Sequence, residues 1–471
     1  MKLSLFSEAV LAAASLSTGA VAATPIINVD HDPVGSLNIT AWALIYTYPL
    51  AIFANFAGSV LQNVSVNEIF HQRTLATTSG AAVIKPNVDT IYSRVVLDLS
   101  SHDIELTVPP ITDGRYWNYP VYDPYGNDLA EIGSVNGNKP GLYLIRRADD
   151  VFAQPGFVNT TSNCTVINKK YEGIVNVPTT FGTMLIRLLL LHNTTEDLNA
   201  VHTIQNASHL RPIPRTLAAL SANPAVSLHS LAPAGGFLGI DGPEKQLSFA
   251  AKLVALNQPG VYSQRYRVAT ILARAGLYTG AYHCPPSLNV TEAAAVANAS
   301  ITADVQAPAH VRNEGNGWEL QIPSYQGNYG THYAAAAYVA LYGYQQLRVD
   351  QTLYPGYGAL GFTTAFNLEA NQSVLFTFSA KPKLKATGFW SLTVYGSDQY
   401  LIPNELNRFE AGDRNYNTTY IDGGYVYGPS ANSSQDGPFQ ILAQPADLPP
   451  PANWTGNWLP VAQNFTQIGE S

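Results

Sequence analysis

Two periodicities divide the chain. From Ile91 the residues alternate with period two, as in a strand whose side chains point to opposite faces in turn. Ile91, Ser93, Val95 and Leu97 fall on one face, and Tyr92, Arg94, Val96 and Asp98 on the other. The turn ahead of it, Lys85-Pro86-Asn87-Val88-Asp89-Thr90, breaks any helix at Pro86 and Asn87. Asp103 to Val108 alternates as cleanly, with Ile104, Leu106 and Val108 inward and Asp103, Glu105 and Thr107 outward, until Pro109-Pro110 ends it. Arg115 to Tyr122 is a further strand that runs into a turn at Asp123-Pro124-Tyr125-Gly126-Asn127, and Gly141 to Arg147 is another. Strands separated by turn residues in this way predict an antiparallel sheet.

Helical spacing surrounds the sheet. Asn38 to Val60 has an apolar face through Ala43, Leu44, Tyr46, Leu50 and Phe53, with a kink expected at Pro49. Val66 to His71 reads as a short second helix. After Thr179 or Thr180, either of which can cap, Met184, Leu185, Leu188 and Leu189 read as a helix face. Thr195-Glu196-Asp197 opens another, and Leu247 to Leu256 and Tyr266 to Leu277 follow. The Pro-, Ala-, Ser- and Gly-rich stretch from Arg211 to Pro243 predicts an extended crossing, and the polar segment Asn289 to Gln306 a linker. Thr331 to Tyr342 is an Ala-rich helix, capped at Thr331 and stopped at Gly343.

The last third returns to short strands. In Ser373 to Ser379, Val374, Phe376 and Phe378 share a face; in Gly388 to Tyr395, Trp390, Leu392 and Val394 oppose Phe389, Ser391, Thr393 and Tyr395; Gly424 to Tyr427 is a third candidate. That spacing suggests a sandwich or barrel. The whole pattern predicts an α+β chain. A mixed helix and antiparallel-sheet domain over residues 24–305, with its core at about 40–190, precedes a C-terminal β-sandwich-like, jelly-roll-type domain over residues 306–471. Two domains also fit the length of 471 residues.

Residues 1–23 change the compartment. Met1-Lys2 gives a positive charge, a mostly apolar run follows, and the small residues Gly19-Ala20-Val21-Ala22-Ala23 end it. This is the pattern of a secretory signal cleaved after Ala22 or Ala23; the alternative, a buried N-terminal helix, rests on Glu8, the one charge in the run. No later run matches the roughly 18–20 apolar residues of a membrane span, and Ala41 to Val60, interrupted by Pro49 and Gly58, reads as core helix. A secreted, extracellular protein without a membrane span is expected.

Composition supports that reading. Charged residues make up 12% of the chain, against about 25% in ordinary globular domains, so something besides charge must help solubilise the surface. Glycan sequons are dense: Asn38, Asn63, Asn159, Asn163, Asn193, Asn206, Asn289, Asn298, Asn371, Asn417, Asn432, Asn453 and Asn464. Each occupied one must lie on the surface. Cys164 and Cys284 are expected to form one disulfide across a long loop, the alternative being two separate buried thiols; Cys164 sits inside the Asn163 sequon, so the two modifications compete there. A net charge of −8 with scattered Lys and Arg excludes nucleic acid as a partner.

Several stretches now resemble a known family pair. Lys85-Pro86-Asn87-Val88-Asp89-Thr90-Ile91-Tyr92-Ser93, Gly114-Arg115-Tyr116 and Asp123-Pro124-Tyr125-Gly126-Asn127 resemble domain of unknown function 1254. Phe389-Trp390-Ser391-Leu392-Thr393-Val394-Tyr395, Pro403-Asn404, Asn407-Arg408-Phe409, Gly412-Asp413-Arg414 and Asn457-Trp458-Leu459-Pro460 resemble its usual companion, domain of unknown function 1214. The resemblance implies a mixed α/β part followed by a β-sandwich-like part, and no established reaction. Against the family pattern, Ala335-Ala336 stands where an Arg-Ala pair is expected, and the strand after Pro460 is expected to be either shortened or truncated, since the sequence ends at Ser471.

Candidate chemistry centres on these motifs. Asp89 could act as general acid or base, with Tyr92 and Arg94 holding an anion or oxyanion. The structural alternative has Asp89 capping the turn and Arg94 paired with Asp98 or Asp123. Tyr116, Trp117, Tyr122 and Tyr125 form an aromatic patch suited to sugars or flat organic ligands, though equally to a core. Tyr116, Tyr125, Asn127, Asn404 and Arg408 are the candidate ligand-binding residues. Gly356-Tyr357-Gly358-Ala359-Leu360-Gly361 satisfies G-x-G-x-x-G, but strand-like residues follow where a dinucleotide site needs a helix. The histidines lack ligand spacing, so no metal and no cofactor are expected. Two functions fit. One is an enzyme acting on a small uncharged organic molecule, such as a secondary metabolite, in an inter-domain cleft. The other is a non-catalytic extracellular or cell-surface protein that binds a glycan or hydrophobic ligand. The first places Asp89 partly buried in the cleft; the second requires an exposed aromatic platform with its carboxylates paired.

Overall fold

The computed structural model describes residues 24–78, 85–148, 154–159, 170–216, 219–220, 225–233, 236–278, 280–357, 364–369 and 371–470. The expected signal segment 1–23, Asn163, Cys164 and Gly358-Ala359-Leu360-Gly361 lie outside the described residues; Cys284 is exposed.

The alternating segments found in the sequence build a sandwich. Its strands are β1 (Phe70–His71), β2 (Thr90–Asp98), β3 (His102–Val108), β4 (Trp117–Tyr122), β5 (Asp128–Gly133), β6 (Gly141–Arg147), β7 (Gly156–Asn159), β8 (Gly173–Val177), β9 (Phe181–Leu189) and β10 (His209–Pro214). They form two five-stranded sheets, β1-β2-β9-β4-β5 and β10-β3-β6-β8-β7. The first is antiparallel throughout, with β2 and β9 in register from Thr90↔Leu189 to Asp98↔Phe181. The second has one parallel pair, β6 with β8. Ile91, Val95 and Leu97 of β2 face Ile104, Leu106 and Ile145 of the second sheet in a closed core.

The other face of the first sheet is covered too. Helix α1 (Ser36–Leu61) runs behind it, and Val96 and Phe181 join the helical core there. Around α1 pack the helices Pro243–Leu253, Val290–Val305 and Tyr333–Gly343, sealing Trp42, Ile45 and Phe53 from solvent. Each such side chain contributes about 1.5–3 kcal/mol by leaving water. Among the described residues α1 is the one helix long and apolar enough to cross a membrane, and 72% of its most apolar window is buried inside the protein. It is the core helix expected from Pro49 and Gly58.

A sheet buried on both faces explains the main departure from the sequence reading. The run after Thr180, expected as a helix, is β9, the central strand. A strand covered on both sides carries apolar residues without a break, and its pattern then cannot be told from a buried helix. Val66 to His71, expected as a short helix, is instead a turn leading into β1, where Phe70 pairs with Arg94. Asn289 to Gln306, expected as a linker, is the helix Val290–Val305. Asn289 caps it by accepting from the backbone N–H groups of Thr291 and Glu292, and Ala293, Val296, Ala297 and Ile301 are buried. Alanine favours helix strongly enough to outweigh the polar residues between. The extended crossing from Arg211 begins inside β10, which pairs with β3. The helix Tyr333–Gly343 starts after His332 with no side-chain cap, so Thr331 does not serve as one.

The C-terminal domain is rich in sheet. One sheet orders Thr364–Asn367, Asn464–Glu470, Ser391–Gly396 and Glu410–Gly412; the other orders Val374–Phe378, Phe439–Pro445 and Trp458–Val461. Phe376, Trp390, Leu392, Val394, Phe439 and Phe465 share its core, with Trp390 inward as the alternation predicts. Asn464–Glu470 pairs on both sides, so the closing strand expected to be shortened is an interior one. Gly424 to Tyr427 makes an isolated bridge, Thr419↔Tyr425, and no strand.

Gly182 lies opposite Leu97 in the central strand, and a Cβ there would sit 2.6 Å from the Tyr122 carbonyl oxygen. Gly182→Ala is expected to lower stability by about 1–3 kcal/mol, read as a lower urea midpoint with an unchanged slope.

Candidate functional site

The turn before β2 is built by Asn87. Its Oδ1 accepts from the backbone N–H of Asp89 and of Thr90, each at 2.8 Å, and from the Thr90 hydroxyl at 3.1 Å. Asn87 therefore does the capping that the structural alternative gave to Asp89, which leaves the Asp89 carboxylate for something else. Asp89 is 3% exposed. Ser391 Oγ donates to its Oδ2 at 2.7 Å, and Arg414 Nη2 donates to its Oδ1. Both partners belong to the C-terminal domain. Arg414 lies over the Phe389 ring, 4.9 Å from the centroid, and donates through Nη1 to Asp413 at 2.9 Å. Nearby, Tyr395 donates to the Pro86 carbonyl at 3.2 Å and Lys85 N–H to the Gln399 carbonyl at 2.9 Å. The turn is thus the dock between the two domains.

Glu410 sits beside this dock. Burial, then the neighbouring Asp89 charge, push its carboxyl up to about 8. Its Oε1 accepts from Asn415 Nδ2 at 3.3 Å, while its buried Oε2 makes no hydrogen bond.

Most of the other predicted site residues are structural. Arg94 is 7% exposed, stacks on Phe70 at 5.0 Å, and forms no ion pair with Asp98 or Asp123; burial lowers its affinity for its proton. Tyr92 is buried against Tyr122, Leu185 and Leu347. Asn404 closes its own loop through Ile402 and Arg408, and Arg408 donates to the Thr455 and Trp458 carbonyls at 2.8 Å. Asn127 binds Asp123 and the Tyr329 N–H, and Tyr125 donates to the Asn257 carbonyl at 2.7 Å. Of the aromatic patch, Trp117 is in the sandwich core and Tyr122 and Tyr125 are buried on the other side of the sheet. These residues form no shared aromatic platform.

Tyr125 and Asn127 line a small pocket with Tyr46, Asp123, Tyr329 and Tyr333, and Tyr116 lines a larger, open cleft. This cleft, of about 180 Å³, lies between the first sheet and the C-terminal domain. Thr90, Tyr116 and Arg187 form its sheet side, Leu347 to Leu353 one wall, and Lys383, Leu384, Lys385 and Phe389 the other. Tyr116 and Phe389 meet edge to face, 5.4 Å between centroids. Arg187, on β9, donates to the Gln345 carbonyl at 3.2 Å and lies over the Tyr92 ring at 5.5 Å. Asp89, Tyr92, Arg94, Asn404 and Arg408 do not line it. Arg187 escaped notice because its strand read as a helix, and Lys383 and Lys385 because they lie in an irregular loop without periodicity. Phe389 had a signal, its place in a family motif.

Behind the wall lies a buried acid pair. Asp128 is fully buried with no hydrogen-bond donor to either oxygen, and burial followed by the Glu131 charge raises it far above the carboxylate range. Glu131 is raised too, by burial, while its Oε1 accepts from the Arg348 N–H at 3.0 Å. Two neighbouring buried carboxyls disfavour both being charged at once. They fix the wall segment at Arg348.

The fold and site define a two-domain α+β protein whose halves dock through family motifs beside a cleft. The family described as "Protein of unknown function (DUF1254)" matches residues 66–212, and that described as "Protein of unknown function (DUF1214)" matches residues 364–468. The chain belongs to this paired-domain family. Among curated proteins, none matches. Its fold is shared with the crystal structure of the VPA0106 protein from Vibrio parahaemolyticus, at 16% identity and a TM-score of 0.57 over 93% of this chain and 94% of that one. An uncharacterized protein from Burkholderia cenocepacia aligns at 10% identity and a TM-score of 0.40, over 94% of this chain and 87% of that one.

Glu410 makes stability depend on pH. A carboxyl raised in the folded state binds a proton that the unfolded chain releases at about 4.3. Its contribution is complete below that value and falls as pH rises to about 8. Glu410→Gln should therefore gain stability relative to the native chain between pH 5 and pH 8, measured as urea midpoints at the two pH values.

Proposed function

We propose that this chain is a secreted N-glycoprotein that binds a small, largely apolar organic molecule in its inter-domain cleft. The observation that carries the binding reading is the cleft itself. It lies between the domains and sets apolar walls around a few polar groups, the setting that ligand sites favour. The walls are Tyr116, Leu347, Leu353, Leu384 and Phe389, with Thr90, Arg187, Asp350, Gln351 and Thr352 as polar points and Lys383 and Lys385 at the rim. The burial of Trp117, Tyr122 and Tyr125 argues against a glycan-stacking surface built from that patch.

The placement of the sequons supports the glycoprotein reading. Every described sequon asparagine is exposed except Asn38 and Asn298, which are half-buried. The buried asparagines Asn67, Asn87, Asn118, Asn176, Asn257 and Asn457 each lack a sequon.

A catalytic reading of the same cleft rests on Asp350, the carboxylate on its wall, beside Lys385. Turnover of the bound molecule that is lost in Asp350→Asn while binding persists would establish it.

Expression in a secreting eukaryotic host tests the proposal. The protein should leave the cell and lose mass with an N-glycosidase. Native mass spectrometry after exposure to an organic extract of the medium should find a small molecule retained by the native chain and lost in Leu353→Trp, which fills the cleft mouth. Retention inside the cell without glycan removes the secreted reading; equal retention of ligand by both proteins removes the cleft.

A further inference from the structure

Resting on the reading of the inter-domain cleft as a ligand site, we propose that its ligand is an organic acid, an apolar body carrying a single carboxylate. The chain as a whole is acidic, at −8, yet the cleft lining carries Arg187, Lys383 and Lys385 against the single carboxylate of Asp350. That carboxylate is already answered by Arg348, whose Nε stands 3.6 Å from Asp350 Oδ1 and which is not part of the lining. Lys385 donates to the Asp350 backbone carbonyl, and among the described residues neither lysine has a carboxylate partner.

The cations are arranged at two depths. Arg187 is 7% exposed and sits at the floor, held in the central strand between Tyr92 of β2 and Asn118 of β4. The lysines are exposed at the rim, on the opposite domain. Between floor and rim the surface is apolar, through Tyr116, Leu347, Leu384 and Phe389. Low-dielectric walls lined by one sign of charge focus the field and concentrate the opposite ion. Burial raises both carboxyls of the acid pair behind Arg187, which weakens the charge they set against it. A guanidinium also meets a carboxylate through paired N–H donors. A polyanion is disfavoured, since beyond the cleft the acidic surface repels it.

The test compares 2-naphthoate with 2-naphthalenemethanol, which share an apolar body and differ in charge, by titration calorimetry at low salt. The acid should bind about tenfold or more tightly than the alcohol, and added salt should narrow the gap. K383A/K385A, which changes exposed side chains, should keep its unfolding midpoint and lose most of the preference; Arg187→Gln should weaken the acid while leaving the alcohol. Equal affinity for the two probes, or a preference that survives both variants, overturns the organic-acid proposal while leaving the cleft as a site for neutral ligands. Binding of neither probe, or binding untouched by Leu353→Trp, overturns both.

Discussion

For the two domains to dock, the carboxylate of Asp89 must give up its water, and it does so against Arg414 and Ser391. Taking both charges out of water costs several kcal/mol per ion before their attraction returns it. Such a pair is therefore better suited to fixing one arrangement than to adding stability. Its geometry suits that role: Asn87 shapes the turn, Phe389 supports the guanidinium, and Asp413 holds its other end. The position of the cleft follows from this dock. Phe389 both stacks under Arg414 and forms a cleft wall, so a shift at the ion pair would reach the ligand surface within one side chain.

This gives the family motifs a physical meaning. Lys85 to Thr90 in the first domain touches Ser391, Tyr395, Gln399 and Arg414 in the second, and several of these lie in that domain's own signature stretches. Gly114-Arg115-Tyr116 is likewise structural: Arg115 is fully buried, donating to the Leu189 carbonyl and to Asp197, so that it ties the start of helix Thr195–Ala207 to the end of β9. In this chain each domain supplies polar partners that the other buries.

Much of this fold could be read from the sequence, and for definite reasons. β3 and β6 are legible because each has one face less buried than the other, which keeps the alternation visible. β9 is not legible as a strand, because burial on both faces erases the alternation. Asp89 stood out as special, but its role did not, since a residue constrained by an ion pair and one constrained by a substrate leave the same trace in a single sequence. The cleft was the least legible part. Leu347 to Leu353 and Lys383 to Lys385 have neither helical nor strand spacing, and only the docking of two domains brings them together.

The central claim is that Asp89 and Arg414 act as one unit across the interface. A double-mutant cycle of Asp89→Asn, Arg414→Gln and the pair, followed by urea unfolding, tests it directly. The account predicts single losses that do not add, with a coupling energy of about 1–3 kcal/mol. Losses that add to within about 0.5 kcal/mol would contradict it.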